Sequence, residues 1–351
     1  MPQVTKIPLL SDLPAPPSGK TGWPWTKQGE PLAEQMLDGP EYPRISIVTP
    51  SYNYGQYIEE TIRSVLLQGY PNLEFIIIDG GSTDETLDII SSYEPWLSFW
   101  CSEPDEGQTD AINKGFERCT GDIFVWLNAD DAYLSSTCLC EVADLYCQGN
   151  QLIVGACLNV NEYDQELIIY EQYNGISRPQ TFDDYVKFWS FVPLPQPAVF
   201  IDKGLCDKAF PLNISLSTTM DYQLFLRVLA QNPKAVWVDN RWVKFKYHGL
   251  NKTLQTNKNQ YEEYYKVASA EAKQVYSRLK RLTYQTTARD FMALGSIISS
   301  PDKEKLKIIL KVLTHRITLI RLPLFWKVLF KSLLGQAIYQ QIKYWWKRYA
   351  V

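Results

Sequence analysis

The chain has 351 residues, 45% hydrophobic and 21% charged, with a net charge of −4. That balance is ordinary for a globular protein and is enough to bury a large core. It excludes a spanning helix, because no uncharged apolar run approaches the roughly 18 to 20 residues one needs.

The charge is unevenly spread. Residues 300–351 carry eleven Lys and Arg against Asp302 and Glu304, a surplus of +9 on a body of −13. A basic tail on an acidic body points to a negatively charged partner, a membrane surface or nucleic acid. The seven cysteines (101, 119, 138, 140, 147, 157 and 206) are odd in number and scattered. The pair at 138 and 140 has no second Cys pair or nearby His to complete a zinc site. They read as reduced, mostly buried thiols of a cytosolic protein. The first residues lack the basic-then-apolar layout of a signal peptide.

Residues 1–43 are rich in Pro and Gly and read as an extended arm, packed on the body through Trp23 and Trp25. The "GKT" at 19–21 is not a phosphate loop: Pro14 stands where the first glycine is required, and no strand precedes it. From residue 45 strands and helices alternate. "ISIVTP" (45–50), "LEFIIID" (73–79), "LSFWCSEP" (97–104) and "DIFVWLNADD" (122–131) read as buried strands. Helical spacing fills 56–68 and 107–119, and a turn after Asp79 opens another helix. Continuous apolar strands at short spacing predict an α/β protein with a largely parallel sheet covered on both faces.

In such a sheet the ligand sits outside the carboxyl ends of the strands. Those ends read Pro50-Ser51-Tyr52-Asn53, Asp79-Gly80-Gly81-Ser82, Glu103-Pro104-Asp105 and Asn128-Ala129-Asp130-Asp131. Three of the four carry carboxylates, which repel one another and so do not serve stability. Helix capping is the plain alternative, and Asp84 and Ser135 suit it. A dinucleotide site is excluded because "PSYNYGQY" offers one glycine where three are needed. Acids without a glycine cradle imply a divalent metal that neutralises phosphates.

Taken together, "SIVTPSYNYGQYIEETIRSVLLQGYPNLEFIIIDGGSTDET", "SEPDEGQTDAINKGF" and "GDIFVWLNADD" resemble the inverting family 2 glycosyltransferases of the GT-A fold, over about residues 44–250. The resemblance implies a nucleotide-binding half (44–131), an acceptor half (132–250) and a mixed, mostly parallel sheet flanked by helices. It implies a nucleotide-sugar donor, with a UDP-sugar expected, and a glycan or lipid-linked acceptor. Pro50, Tyr52 and Asn53 would line the nucleotide pocket, and Asp79 would contact the base. Asp105 and Lys114 would lie beside the donor, although Lys114 is also spaced to pair with Asp110. Asn128-Ala129-Asp130 occupies the Asp-x-Asp position. Asp130 would bind Mn²⁺ or Mg²⁺, with Asp131 and His248 as further metal-side groups. Asn128 would meet the ribose as a neutral stand-in, leaving a weaker metal site.

In "STTMDYQLFLRVLA" the resemblance makes Asp221 the catalytic base, and an N-cap on a helix over 222–230 is the plain alternative. Gln196 would touch the acceptor or the donor sugar. A catalytically inactive nucleotide-sugar-binding scaffold is the second functional reading. Residues 257–290 read as one long helix carrying tyrosines. From Pro301 the extension is basic and amphipathic, as in a helix lying in a membrane interface. No nucleic-acid recognition motif accompanies it. The expected location is cytoplasmic, peripheral on the membrane's inner face.

Overall fold

The computed structural model describes residues 7–298, apart from 34, 37–40, 168–176, 188–191, 250 and 252–257, and beyond these only 307, 309, 310, 313, 326 and 329. Most of the basic extension expected from Pro301 therefore lies outside the described residues. Among them, no helix is long and apolar enough to cross a membrane.

The chain divides into two units. The first comprises 1–185 and 190–254, so the arm and the α/β body belong together; the second comprises 186–189 and 255–351. The second unit thus takes 186–189 from within the sequence of the first.

In the first unit the order is β1 (Ile45–Ser51), α1 (Gly55–Leu66), β2 (Leu73–Asp79), α2 (Thr86–Tyr93), β3 (Phe99–Ser102), α3 (Gln108–Phe116) and β4 (Ile123–Trp126). There follow β5 (Ala132–Tyr133), α4 (Cys138–Cys147), β6 (Leu152–Asn161), α5 (Phe182–Tyr185), β7 (Val199–Asp202), α6 (Lys203–Ala209), α7 (Met220–Leu229) and β8 (Ala235–Tyr247). The described strands form one sheet in the order β3-β2-β1-β4-β7-β6-β8-β5. β3, β2, β1 and β4 are parallel, as the alternation of strand and helix requires. β7 then runs antiparallel to β4 and β6, and β5 antiparallel to β8.

Register aligns the strand ends that matter. Ser51 sits opposite Asp79, and Asp79 opposite Ser102. β4 stops at Trp126, so residues 128–131 form a turn rather than the strand expected to 131. β1 and β2 are buried along their whole length, which accounts for their unbroken apolar sequence. α3 packs against β1 because residue 115 is glycine: a Cβ there would meet Val48 Cγ1 at 2.4 Å.

The arm packs as expected. The Trp23 indole donates to the Tyr133 carbonyl at 2.8 Å, and Trp25 is buried. Its anchor is Arg63 of α1, fully buried, which donates to the carbonyls of Pro14 (2.9 Å), Pro24 (3.2 Å) and Trp25 (3.0 Å) and to the Tyr93 hydroxyl (2.9 Å).

In the second unit the expected single helix is two, α8 (Lys258–Val275) and α9 (Arg278–Ile298). The break falls at Tyr276-Ser277, and the next helix starts with the Ser277 carbonyl accepting from the Arg281 amide at 3.0 Å. Serine favours such a start. All seven cysteines are free; Cys119, Cys138 and Cys206 are buried, and the other four are less so than expected.

Candidate active site

The β1 and β2 ends are tied into one platform. Asp79 is fully buried, and its Oδ2 accepts from the amides of Gly81 (3.0 Å) and Ser82 (2.8 Å) and from Ser102 Oγ (2.7 Å). Its Oδ1 accepts from Ser82 Oγ at 2.5 Å. Asp79 therefore shapes the turn 80–82, and only Oδ1 keeps unused acceptor capacity for a base. Ser82 Oγ in turn accepts from the Asn53 amide (2.7 Å), and Asn53 Oδ1 accepts from the Thr83 amide (2.8 Å). Asn53 holds a φ of 56°, a left-handed geometry that Asn tolerates better than most residues. Pro50 is buried in β1, and Tyr52 stands 58% exposed at the rim.

Asp84 is not the N-cap residue of a helix, since Tyr54 precedes α1 and Glu85 precedes α2, but its side chain serves the start of both. Its carboxylate accepts from the Gly55 amide at the start of α1 (3.0 Å) and from the Thr86 amide (3.1 Å) and hydroxyl (2.5 Å). Burial pushes its carboxyl up, but these hydrogen bonds outweigh burial and hold it below the usual carboxylate range. Ser135 is not the cap of α4: its Oγ meets the Thr137 amide at 3.4 Å, and Thr137 is the residue before the helix.

Asp105 overhangs Asp79-Gly80. A Cβ on Gly80 would lie 2.8 Å from its Oδ2, so glycine is what lets the carboxylate approach. Lys114 pairs with Glu103 (3.0 Å) and with Asp110 (3.2 Å), which is the ion-pair reading of its spacing. The Glu103 hydrogen bond leads in raising its pKa.

The 128–131 turn meets the end of β8. Pairing of Ala132 with Lys244 runs β8 back past the turn, so His248 arrives beside Asp130. His248 Nε2 lies 2.9 Å from Asp130 Oδ2, and Asn251 Nδ2 donates to the same oxygen at 3.0 Å. The turn His248–Asn251 is closed by the His248 amide on Asn251 Oδ1 (2.5 Å) and the Asn251 amide on the His248 carbonyl (3.1 Å). Tyr57 stacks on the His248 ring at 4.4 Å, and Tyr54 meets its edge at 6.1 Å. Burial first, and then the charge of Asp130, raise both phenols. Thr61 Oγ1 reaches the carbonyls of Ala129 (2.9 Å) and Asp131 (2.7 Å), fixing the turn to α1. β8 is held against α1 by Lys244 and Lys246, both paired to Glu60 and to Asp164.

The metal-side expectation divides here. Asp130 Oδ2 and His248 Nε2 are spaced close to the roughly 3 Å that separates adjacent ligands of a cation with bonds of about 2.1 Å. Those two side chains fit. Asp131 does not: it is buried, and its Oδ2 accepts from Asn128 at 3.0 Å. Burial, and then Asp130, push its carboxyl well above the usual range, against the hydrogen bond from Asn128. Among the described residues no group of three or more His, Cys, Asp or Glu is arranged to hold a metal. A cation here would take its remaining ligands from phosphate oxygens and water.

Asn128 and Gln196 also differ from expectation. Asn128 Oδ1 accepts from the Trp126 indole (2.6 Å) and from Gln108 Nε2 (2.9 Å). Its Nδ2 donates to Asp131 and to Gln196 Oε1 (3.1 Å). Gln196 Nε2 donates to the Trp126 carbonyl (2.5 Å). The amide at 128 is thus saturated by the protein rather than offered to a ribose, and both ends of the Gln196 amide are turned inward rather than toward an acceptor.

Asp221 lies in the first turn of α7, where a helix dipole favours an acid. Thr219 precedes the helix, so Asp221 is inside it rather than its N-cap, although its Oδ1 accepts from the Tyr222 amide at 2.7 Å. The loop before α7 is clamped to α3. Thr109 Oγ1 donates to the Leu216 carbonyl (3.0 Å), and Asn113 exchanges two 2.9 Å bonds with Leu212. Sequence reasoning missed Thr109, Asn113, Tyr57 and Asn251. The i,i+4 polar pair in "TDAIN" and the His-x-x-Asn turn were the available signals.

Residues 46–207 match the family model Glycosyl transferase family 2. Over 94 residues the chain is 42% identical to TuaG of Bacillus subtilis, named for teichuronic acid biosynthesis, a match covering 26% of this chain and 37% of TuaG. An uncharacterized glycosyltransferase of Mycobacterium tuberculosis is 38% identical over 92 residues, 26% of this chain and 35% of the relative. The chain thus spans about a third of the length of these curated relatives. A longer match, 29% identical over 230 residues, joins 63% of this chain to 69% of an uncharacterized glycosyltransferase of Rickettsia typhi. Among solved structures, S. aureus TarS 1-349 in complex with UDP-GlcNAc superposes with a TM-score of 0.57 at 15% identity, over 76% of this chain and 78% of that one. The mannosyltransferase PcManGT of Pyrobaculum calidifontis, in complex with GDP-Man and Mn2+, gives 0.55 at 16% identity, over 87% and 88%. These likenesses show the fold. With the family match lying on these strand ends, residues 46–207 carry a family 2 glycosyl transferase domain, on a GT-A fold.

Proposed function

We propose that the protein moves a sugar from a nucleotide-sugar donor, a UDP-sugar in the first instance, to a hydroxyl of a glycan or lipid-linked saccharide, with inversion at the anomeric carbon. The observation that carries this reading is the Asp130–His248–Asn251 cluster at the carboxyl end of a family 2 sheet. TarS with UDP-GlcNAc and PcManGT with GDP-Man support a nucleotide-sugar donor.

The base and ribose would lie against 50–53 and 79–82, with Asp105 at the border of that pocket. Asp130 and His248 would hold Mn²⁺ or Mg²⁺, whose contribution when bound is to neutralise the departing diphosphate. Asp221 accepts the proton of the acceptor hydroxyl while its oxygen attacks the anomeric carbon. The bond from that carbon to the diphosphate oxygen breaks, and its electron pair leaves with the diphosphate. Thr109 and Asn113 serve the reaction by holding the loop that leads to Asp221. The basic segment 301–351 would keep the enzyme at the cytoplasmic membrane surface, where lipid-linked acceptors lie.

The site is tested without turnover. In calorimetry, UDP or GDP is expected to bind tightly only with Mn²⁺ present. Asp130→Ala is expected to weaken that binding on the order of tenfold to a hundredfold and to remove its metal dependence. Unchanged, metal-dependent binding by the variant would move the site elsewhere.

A further inference from the structure

Asn128 stands where the family resemblance leads one to expect an aspartate, and its surroundings show why an amide is there. Trp126, Asn128 and Gln196 form a closed ring of hydrogen bonds. The Trp126 indole donates to Asn128 Oδ1, Asn128 Nδ2 donates to Gln196 Oε1, and Gln196 Nε2 donates to the Trp126 carbonyl, at 2.6, 3.1 and 2.5 Å. The direction of the ring is fixed at both contacts with Trp126, because an indole nitrogen only donates and a carbonyl only accepts. Asn128 Nδ2 also donates to Asp131, and Oδ1 also accepts from Gln108. Two donors and two acceptor pairs are all a carboxamide has, and all four are used.

This ring joins separate parts of the chain. Trp126 ends β4, Gln108 opens α3, and Gln196 begins the segment that leads into β7. A carboxylate at 128 would place an oxygen where Nδ2 now is, about 3 Å from Gln196 Oε1, an amide oxygen with no proton to offer, and would remove the donor that now reaches Asp131 Oδ2. Turning Gln196 over does not repair this, because its oxygen would then face the Trp126 carbonyl.

We propose that Asn128 is a positioning residue that works only as an amide, locking the 194–198 segment and α3 onto the end of β4 and holding Asp131. The acidic variant that would complete an Asp-x-Asp motif is therefore the worse enzyme, and Asn128 acts through Gln196, Gln108 and Asp131 rather than by touching the donor. The kinetic part of this inference rests on the transferase reading; the structural part does not.

The test uses the full chain, with Asn128→Asp, Asp131→Asn and the swapped pair carrying both changes. The swap returns a donor between positions 128 and 131, with the amide now on residue 131. Two quantities are read: the Trp126 indole N–H resonance in ¹H–¹⁵N spectra, assigned with Trp126→Phe, and nucleoside diphosphate release from the donor with Mn²⁺. Asn128→Asp is expected to displace the indole resonance and to lower kcat/KM on the order of tenfold to a hundredfold. The swap is expected to restore part of the resonance position and a measurable part of the rate, because it returns the hydrogen bond between 128 and 131 but not the one to Gln196. If Asn128→Asp does not fold, a folded swap supports the proposal and an unfolded swap overturns it. An Asn128→Asp enzyme as fast as the wild type, or a swap no better than Asn128→Asp, also overturns it. If the wild type releases no nucleotide, the transferase reading fails, and the resonance alone decides the role of Asn128.

Discussion

Asp221→Asn is expected to lower kcat on the order of a hundredfold to ten-thousandfold, the range attributable to a positioned general base, while donor affinity stays within about threefold of wild type. The substitution keeps the volume of the side chain and its place in the first turn of α7, and it removes the capacity to take a proton. A sugar hydroxyl is a poor nucleophile until that proton has somewhere to go. Thr109 and Asn113 still hold the loop before α7, and an asparagine oxygen can still accept from the Tyr222 amide, so the variant is expected to fold. Single-turnover kinetics with saturating donor would check the rate and calorimetry the affinity. Near-normal turnover would remove Asp221 from the reaction, and an equal loss in donor affinity would place it on the donor side instead.

Arg63→Met is expected to destabilise the protein by about 3–5 kcal/mol, the range for removing one partner from a buried charged network. The methionine fills much of the space but leaves the carbonyls of Pro14, Pro24 and Trp25 without their donor, and Glu59, 3.9 Å from the guanidinium, keeps only the Tyr93 hydroxyl. Lysine is not a conservative replacement, because a single ammonium cannot reproduce the fork that reaches three carbonyls and a phenol. The consequence extends to the active site. Arg63 fixes the arm to α1; α1 carries Thr61, which holds the 129–131 turn, and Tyr57, which stacks on His248. Urea unfolding would measure the loss. A change under about 1 kcal/mol would mean that the arm is not held by this residue.

The parallel half of the sheet was legible because its signals are local. Apolar runs of four to seven residues separated by helical spacing predict parallel strands, and β1 to β4 are parallel, in the sheet order β3-β2-β1-β4. The placing of acids at the strand ends was legible too, although Asp79 there holds its own turn through the amides of Gly81 and Ser82. Contacts between distant segments were not. Arg63 reads as an ordinary charge on an amphipathic helix, and its hydrogen-bond partners lie 30 to 49 residues away. The roles of Asn128 and Gln196 were invisible for a related reason: an amide suits solvent, ligand or core equally well, and only the directions set by Trp126 decide. Asp131 was misread because adjacency to Asp130 says nothing about the opposite ways in which neighbouring side chains of a turn can point. The break at Tyr276-Ser277 was missed because neither residue strongly interrupts a helix.

The central claim is that the strand-end site turns over a nucleotide sugar. Its most direct test is release of nucleoside diphosphate from a panel of UDP-, GDP- and dTDP-sugars with Mn²⁺, with saccharide acceptors supplied free or lipid-linked in anionic vesicles. The account predicts release with at least one donor, increased by acceptor, faster with the vesicle-bound form, and slowed on the order of a hundredfold or more in Asp221→Asn. Binding of a nucleotide sugar without release from any donor, under every acceptor condition, would contradict it and leave a binding scaffold in its place.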